Sequence, residues 1–478
     1  MSVERYNAGS STAILEPIEL QPVHPKQDRP SFSSGKRPAS ISGRSLASAN
    51  HRVSNDDSSD RNETLPSPTT APTEVLQSWN NPRINIYRVS ATFWSFIVMG
   101  MNDATYGAII PYLEIYYDLT YTIVALVFLS PFVGYNVAAL MNNWIHMKFG
   151  QRGVAIVGPI CHLIAYIIIA VHPPYPVLVI AFMLAGLGNG LEDSAWNAWI
   201  GVMNNANEML GFLHGFYGVG GTIAPLIATT LITQADYPWY YWYYFMVGFA
   251  AVEVAISTHA FWAATGQVFR DEHPRTSDVG GSRLREATMR MPAARVTWLS
   301  ALFLLGYVGI EVGLGGWIVA FMIRVRDAKP FASGMTATGF WLGLTFGRVI
   351  LGFVTPRIGE KLAISIYLPI CMALQLIFWL VPQFYVGAVS IGLLGFFLGP
   401  MFPAAMVACA KLLPKHLHVS SIGFAAAFGG SGGALFPYAI GAIAQAKGVQ
   451  VLQPIILALL AVIWVLWLCL PRIGKKKD

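Results

Sequence analysis

From about residue 87 to residue 470 the chain is a succession of apolar runs separated by short polar links. Each run reaches the ~20 residues that a helix needs to cross a bilayer, and we count twelve. Hydrocarbon leaves backbone polar groups no water to bond, so such runs must be helices. The charge content agrees: 12% of residues are charged and 54% are hydrophobic, with a mean hydropathy of +0.51. A soluble domain carries about 25% charged residues. The expected fold class is therefore an all-α integral membrane protein of twelve transmembrane helices.

The fourth run, about 177–203, carries two adjacent carboxylates, Glu192 and Asp193. A charge at bilayer depth costs at least ~3 kcal/mol, so such a helix turns its acids toward protein or water. Helical spacing puts Gly186, Gly190, Asp193, Asn197 and Gly201 on one stripe. Small residues on a stripe let two helices approach closely. Asn189, Glu192, Trp196 and Trp199 form a second stripe about a quarter-turn away. The stretch thus offers a close-packing seam with a carboxylate in it, beside an aromatic wall. It reads as a proton or solute site, against the alternative of buried acids that are merely hydrogen-bonded.

Other mid-run residues join the candidates. The first run, about 87–116, holds Asp103, with Gly107 and Pro111 on the same face and Glu114 near its end. His162 in the third run reads as a packed core residue, and Glu253 in the sixth has an open role. The fifth run contains His214, Tyr217, Gly218, Gly220, Gly221 and Pro225. The seventh contains Tyr307, Glu311, Gly316 and Trp317. Arg348 in the eighth lies too deep to reach an interface comfortably, so a buried pair with an acid is expected. The aromatic cluster Trp239–Phe245 reads as an interfacial belt.

The chain divides by composition. Residues 1–82 are rich in Ser, Pro, Asn and Asp and read as a disordered cytoplasmic tail, with a sequon at Asn62 that stays unused in the cytosol. Residues 83–265 and 294–471 hold six runs each. Residues 266–293, with Arg270, Arg275, Arg283, Arg285 and Arg290, form a central cytoplasmic loop, and 472–478 a basic cytoplasmic tail. The halves repeat. Gly218-x-Gly220-Gly221-x-x-x-Pro225 matches Gly430-x-Gly432-Gly433-x-x-x-Pro437. Gly186 and Gly190 correspond to Gly395 and Gly399. The link Lys148-x-Gly150-x-Arg152 matches Arg357-x-Gly359-x-Lys361. Parallel repeats with pathway residues between them are a common plan of secondary transporters. Lys and Arg gather in the tails and on one set of links, apart from Arg324, Arg326, Lys329 and Lys447, so both termini are expected in the cytosol.

Composition also limits function. The net charge of +6 is spread over tails and loops, and implies lipid headgroups rather than nucleic acid. The four cysteines have no metal or disulfide spacing, and no cofactor or metal is expected. No phosphate-binding Gly-x-x-x-x-Gly-Lys loop occurs, which argues against an ATP-driven pump, and no soluble domain is present to house an enzyme.

Two six-helix halves with basic, Gly-containing turns after helices 2 and 8 resemble the major facilitator superfamily, over residues 84–472. The turns depart from its pattern, with Met147 and Pro356 where an acid is usual. Within the superfamily, Gly188-x-Gly190-x-x-Asp193-x-x-x-Asn197 is similar to the fucose–proton symporter family, which has eukaryotic and fungal relatives. The resemblance maps the family's coupling acid to Asp193, with Glu192 an addition. A family Asn at the sugar site falls on Tyr217. Alignment on Pro111 puts the family aspartate at Gly107, one turn after Asp103.

The expectation is a monomeric, proton-coupled carrier of a small polar, sugar-like solute, in the plasma membrane or else the vacuolar membrane. Desolvation favours the protonated form of an acid, so a buried carboxyl can carry a proton across. Asp193 leads as coupling acid, followed by Asp103 and Glu311, with Glu192 beside them. Trp196, Trp199, Tyr217 and Trp317 are expected to wall the solute, and Asn189, Asn197 and His214 to hydrogen-bond it. Lys148, Gly150, Arg152, Arg357, Gly359 and Lys361 form the gating turns. Export of a hydrophobic metabolite and a non-transporting sensor remain alternatives.

Overall fold

The structure, a computed structural model, describes residues 77–204, 206–272 and 279–471. The serine-rich tail with Asn62, Arg275 of the central loop and the basic tail from Arg472 lie outside the described residues. So does the side chain of Arg283.

Among the described residues, twelve long helices pack together. They are α1 (Ile84–Tyr117), α2 (Tyr121–Phe149), α3 (Gln151–Ala170), α4 (Tyr175–Gly201), α5 (Ala206–Thr233) and α6 (Tyr241–Phe261). The second half supplies α7 (Ala293–Arg324), α8 (Pro330–Ile358), α9 (Glu360–Leu380), α10 (Phe384–Leu412), α11 (Ser420–Lys447) and α12 (Leu452–Cys469). Eleven of them are long and apolar enough to cross a membrane. The exception is α1, which spends length on Asn85, Thr92, Ser95, Asn102 and Thr105, all buried against protein. Apolar side chains face outward instead: Leu140 is 83% exposed and Tyr385 75%. In hydrocarbon such exposure carries no penalty, because the driving force is absence from water.

The two halves repeat their packing as well as their sequence. In the first, α1 packs on α5, α2 on α4 and α3 on α6; in the second, α7 packs on α11, α8 on α10 and α9 on α12. Matched glycines permit matched crossings. A Cβ on Gly220 would overlap the carbonyl oxygen of Ile97 on α1, and one on Gly432 would overlap that of Leu305 on α7. Gly186 meets Pro131 O and Gly395 meets Phe340 O in the same way. The repeat is not perfect, since α11 is interrupted at Ser431 where α5 runs straight.

Between the halves, α5 packs along α8, α2 against α11 and α1 against α7. The end of the bundle that carries the α1–α2 and α7–α8 links is closed. There Gly107 touches the backbone of Gly315, Glu114 Oε1 accepts from Arg324 at 3.2 Å, and Gln445 Oε1 accepts from the Tyr121 N–H at 2.8 Å. The Arg324 side chain is 42% exposed, so this ion pair contributes little, about 0–1 kcal/mol. Closure rests on backbone contact.

One expectation is corrected at its boundary. Residues 77–82 do not continue a tail: Asn85 Nδ2 donates to Gln77 Oε1 and Ser78 O, and Gln77 O accepts from the Asn204 N–H, so the segment is tied to the bundle. The central loop carries helices Gly266–Glu272 and Val279–Met289, the first held under α2 by Arg270 donating to Met147 O. In the expected gating turns, Gly150 (φ 72°) and Gly359 (φ 95°) occupy the left-handed region that stops one helix and starts the next. Three of the bases there meet backbone and rings. Arg152 donates to Trp262 O at 3.4 Å, Lys148 lies over the Trp144 ring, and Lys361 donates to Leu470 O at 2.9 Å.

Candidate functional site

A polar seam crosses the interface at mid-bundle. Asp103, halfway along α1, accepts three hydrogen bonds: Oδ1 from Asn102 Nδ2 at 3.0 Å and Asn189 Nδ2 at 3.1 Å, and Oδ2 from Tyr217 OH at 2.9 Å. Three helices, α1, α4 and α5, thereby converge on one carboxylate. The Tyr217 ring then carries the Arg348 guanidinium at 5.7 Å, a cation–π distance. Arg348 Nη2 donates to Glu311 Oε1 at 2.7 Å, with the two side chains 10% and 7% exposed. Asp103, Tyr217, Arg348 and Glu311 therefore run in sequence from the first half to the second.

A shorter chain lies one turn along α4. Asn197 Nδ2 donates to Asp193 Oδ1 at 2.7 Å, and Asn197 Oδ1 faces His214 Nε2 at 3.1 Å. The His214 ring meets Phe96 of α1 edge-on at 5.6 Å and lies tilted against Phe402 of α10 at 6.3 Å. Asp103, Asp193, Asn197, His214, Tyr217 and Arg348 are only partly buried, so they border accessible space. Trp341 of α8, which sequence reasoning passed over, edges Tyr217 at 6.4 Å and packs on Gly221 and Gly315. Tyr135 of α2 lies against Gly190 in the same region.

Other expected site residues are elsewhere. Trp196 is fully buried, stacked on Phe261 of α6 at 4.5 Å, and Trp199 meets the same ring edge-on at 5.4 Å. Both are corrected from solute walls to packing, because their face of α4 is turned to α6. Trp317 is also fully buried; it donates to Pro437 O at 2.8 Å and edges Tyr121 at 6.0 Å, so it seals the closed end. Glu192 leaves the seam as well. It joins His162 of α3 and Glu253 of α6, and among the described residues these three form the one group of ligand-type side chains close enough together to hold an ion. His162 is core, as expected, but it is not a lone histidine: its Nδ1 lies 3.0 Å from Glu253 Oε2. The pair Lys411–Glu360, at 2.7 Å, ties α10 to the start of α9 and was not foreseen, although Glu360 lies inside the second gating turn.

This geometry, a two-half helical bundle with acids at its interface, is met by a family comparison. The family model described as Major Facilitator Superfamily matches residues 92–437. The chain belongs to that superfamily. Bypass of stop codon protein 6 of Saccharomyces cerevisiae is 28% identical over 455 residues, covering 86% of this chain and 90% of that protein. The glucose/mannose transporter GlcP of Bacillus subtilis is 21% identical over 72% of this chain and 85% of its own. A glucose/galactose transporter of Brucella abortus is 24% identical over 76% and 88%. Among solved structures, FucP in the outward conformation aligns with a TM-score of 0.56 and 16% identity, over 79% of this chain and 97% of that one. That likeness is one of fold. This major facilitator protein is thus a multi-pass membrane transporter with sugar transporters among its relatives.

Proposed function

We propose that the protein is a proton-coupled secondary transporter of a small polar, sugar-like solute, working by alternating access of its two halves. The observation that carries this reading is the shared Tyr217, which donates to Asp103 on one side and carries Arg348 on the other. An ionised Asp103 has three donors; once protonated it needs one fewer. The released Tyr217 or Asn189 can then serve a solute hydroxyl, which both donates and accepts. Protonation thereby loosens the link from Asp103 to the Arg348–Glu311 pair, and the halves can part. Asp193 with Asn197 and His214 forms the second polar station on the path, and we keep it as a coupling acid beside Asp103. The sugar-transporting relatives support the solute class. The distribution of Lys and Arg supports cytosolic termini, and we place the protein in the plasma membrane as a monomer.

The test is uptake into proteoliposomes under an imposed pH gradient, screening glucose, galactose, mannose and fucose. Gradient-driven accumulation is expected in the wild type. Asp103→Asn and Asp193→Asn should abolish accumulation while solute exchange continues. No accumulation of any sugar would overturn the solute class and favour export of a hydrophobic metabolite. Accumulation unchanged in both variants would overturn the choice of acids.

A further inference from the structure

The cluster between α3, α4 and α6 is built differently from the central seam. His162, Glu192 and Glu253 are each 0% exposed, and their ligating atoms all lie within 4.8 Å of one another. One link is made, His162 Nδ1 to Glu253 Oε2. Glu192 Oε1 and Oε2, Glu253 Oε1 and His162 Nε2 are buried with no hydrogen-bond partner. Two glycines leave the space they occupy. A Cβ on Gly158 would lie 2.6 Å from Glu192 Oε1, and one on Gly188 would lie 2.7 Å from His162 Nε2.

Two carboxylates this close, out of water, cannot both carry a charge. Among the described residues, the groups that act on them most strongly are not cations: Cys161 and Tyr166 come from α3, Asn189 from α4, and Asp103 and Ser95 from α1. The Ser95 hydroxyl faces both glutamates and can donate to one carboxylate oxygen. Four carboxylate oxygens outnumber that donor and His162, and a proton supplies another. The cluster lies within electrostatic reach of the seam. Asn189, which follows Gly188, donates to Asp103 Oδ1. On the other side, His162 stacks on Tyr166 at 5.8 Å, and Tyr166 OH donates to Asn102 Oδ1 at 3.2 Å.

We propose that His162, Glu192 and Glu253 form a second proton-binding site, at which one proton is shared between the two glutamates. The O–H bond broken in a hydronium ion from the aqueous phase is formed at one glutamate, and the other accepts its hydrogen bond. Only the use of this proton in solute movement rests on the transport reading; its binding does not.

Infrared spectroscopy of the purified full chain tests the site without any solute. A protonated-carboxyl band should be present at low pH and fall as pH is raised. The isosteric double variant Glu192→Gln/Glu253→Gln should lose one carboxyl equivalent of it, and Asp103→Asn should keep that equivalent while shifting its midpoint. A band present in full in the double variant would overturn the proposal. So would a band that does not change with pH, which marks a locked proton. So would a stoichiometric bound metal ion, measured by elemental analysis of the wild type and absent from the double variant. A titrating band in a protein that accumulates solute without a pH gradient would overturn the transport reading and leave this site standing.

Discussion

The two halves share a packing plan but treat charge differently. In the second half, the mid-bundle acid Glu311 is paired with a cation, Arg348, at 2.7 Å. In the first half, the hydrogen-bond partners of Asp103, Asp193 and Glu253 are amides, a phenol and a histidine, and Glu192 lies beside His162 and Glu253. The second half sets its buried acid beside a fixed cation, whereas the first surrounds its acids with neutral donors and a histidine. The proposed proton coupling draws on that asymmetry within a symmetric scaffold.

Breaking the paired side should have the largest effect. Arg348→Met leaves Glu311 buried and unpaired, which costs about 3–5 kcal/mol. Thermal unfolding in detergent should show the loss, and Arg348→Met/Glu311→Gln should recover most of it. An equal loss in both would mean that packing of the Arg348 stem, not charge, matters there. Next come the matched helix crossings. Gly220→Val and Gly432→Val should each destabilise by about 1–3 kcal/mol through overpacking. Similar drops in melting temperature would extend the symmetry from sequence to energetics; a drop at Gly220 alone would show that the interrupted α11 yields where straight α5 does not. A smaller effect is expected at Trp196. Trp196→Phe keeps a ring on Phe261 and should cost about 1 kcal/mol with the transport KM unchanged. A raised KM would return this residue to the solute path. Smallest is the exposed pair at the closed end: Arg324→Gln should change stability by less than about 1 kcal/mol. Cysteine cross-linking across that end would show whether the balance of open and closed forms moves instead.

Much of this architecture was legible before any coordinates. The apolar runs, the glycine repeat that became the paired crossings at Gly220 and Gly432, and the expectation of an acid beside Arg348 all came from local pattern. Legibility stopped at neighbours. Glu253 and His162 stand alone in their own runs, and nothing in either run signals that a third helix will bring Glu192 to them. Trp341 and Tyr135 were passed over for the same reason, since an aromatic in an apolar run has no mark that sets it apart from packing.

The adjacent pair Glu192–Asp193 shows where the division falls. Run length and hydropathy by themselves determined that this segment is a buried helix, because its backbone can bond only to itself in hydrocarbon. Helical geometry also determined that the two acids point about 100° apart. Which of them would meet the path between the halves, and which would be shut in with a histidine and another glutamate, depended on the rotation of α4 among its neighbours. That rotation is decided by the glycine contacts of Gly186 with Pro131 and of Gly188 with His162, and these exist only once the helices have packed.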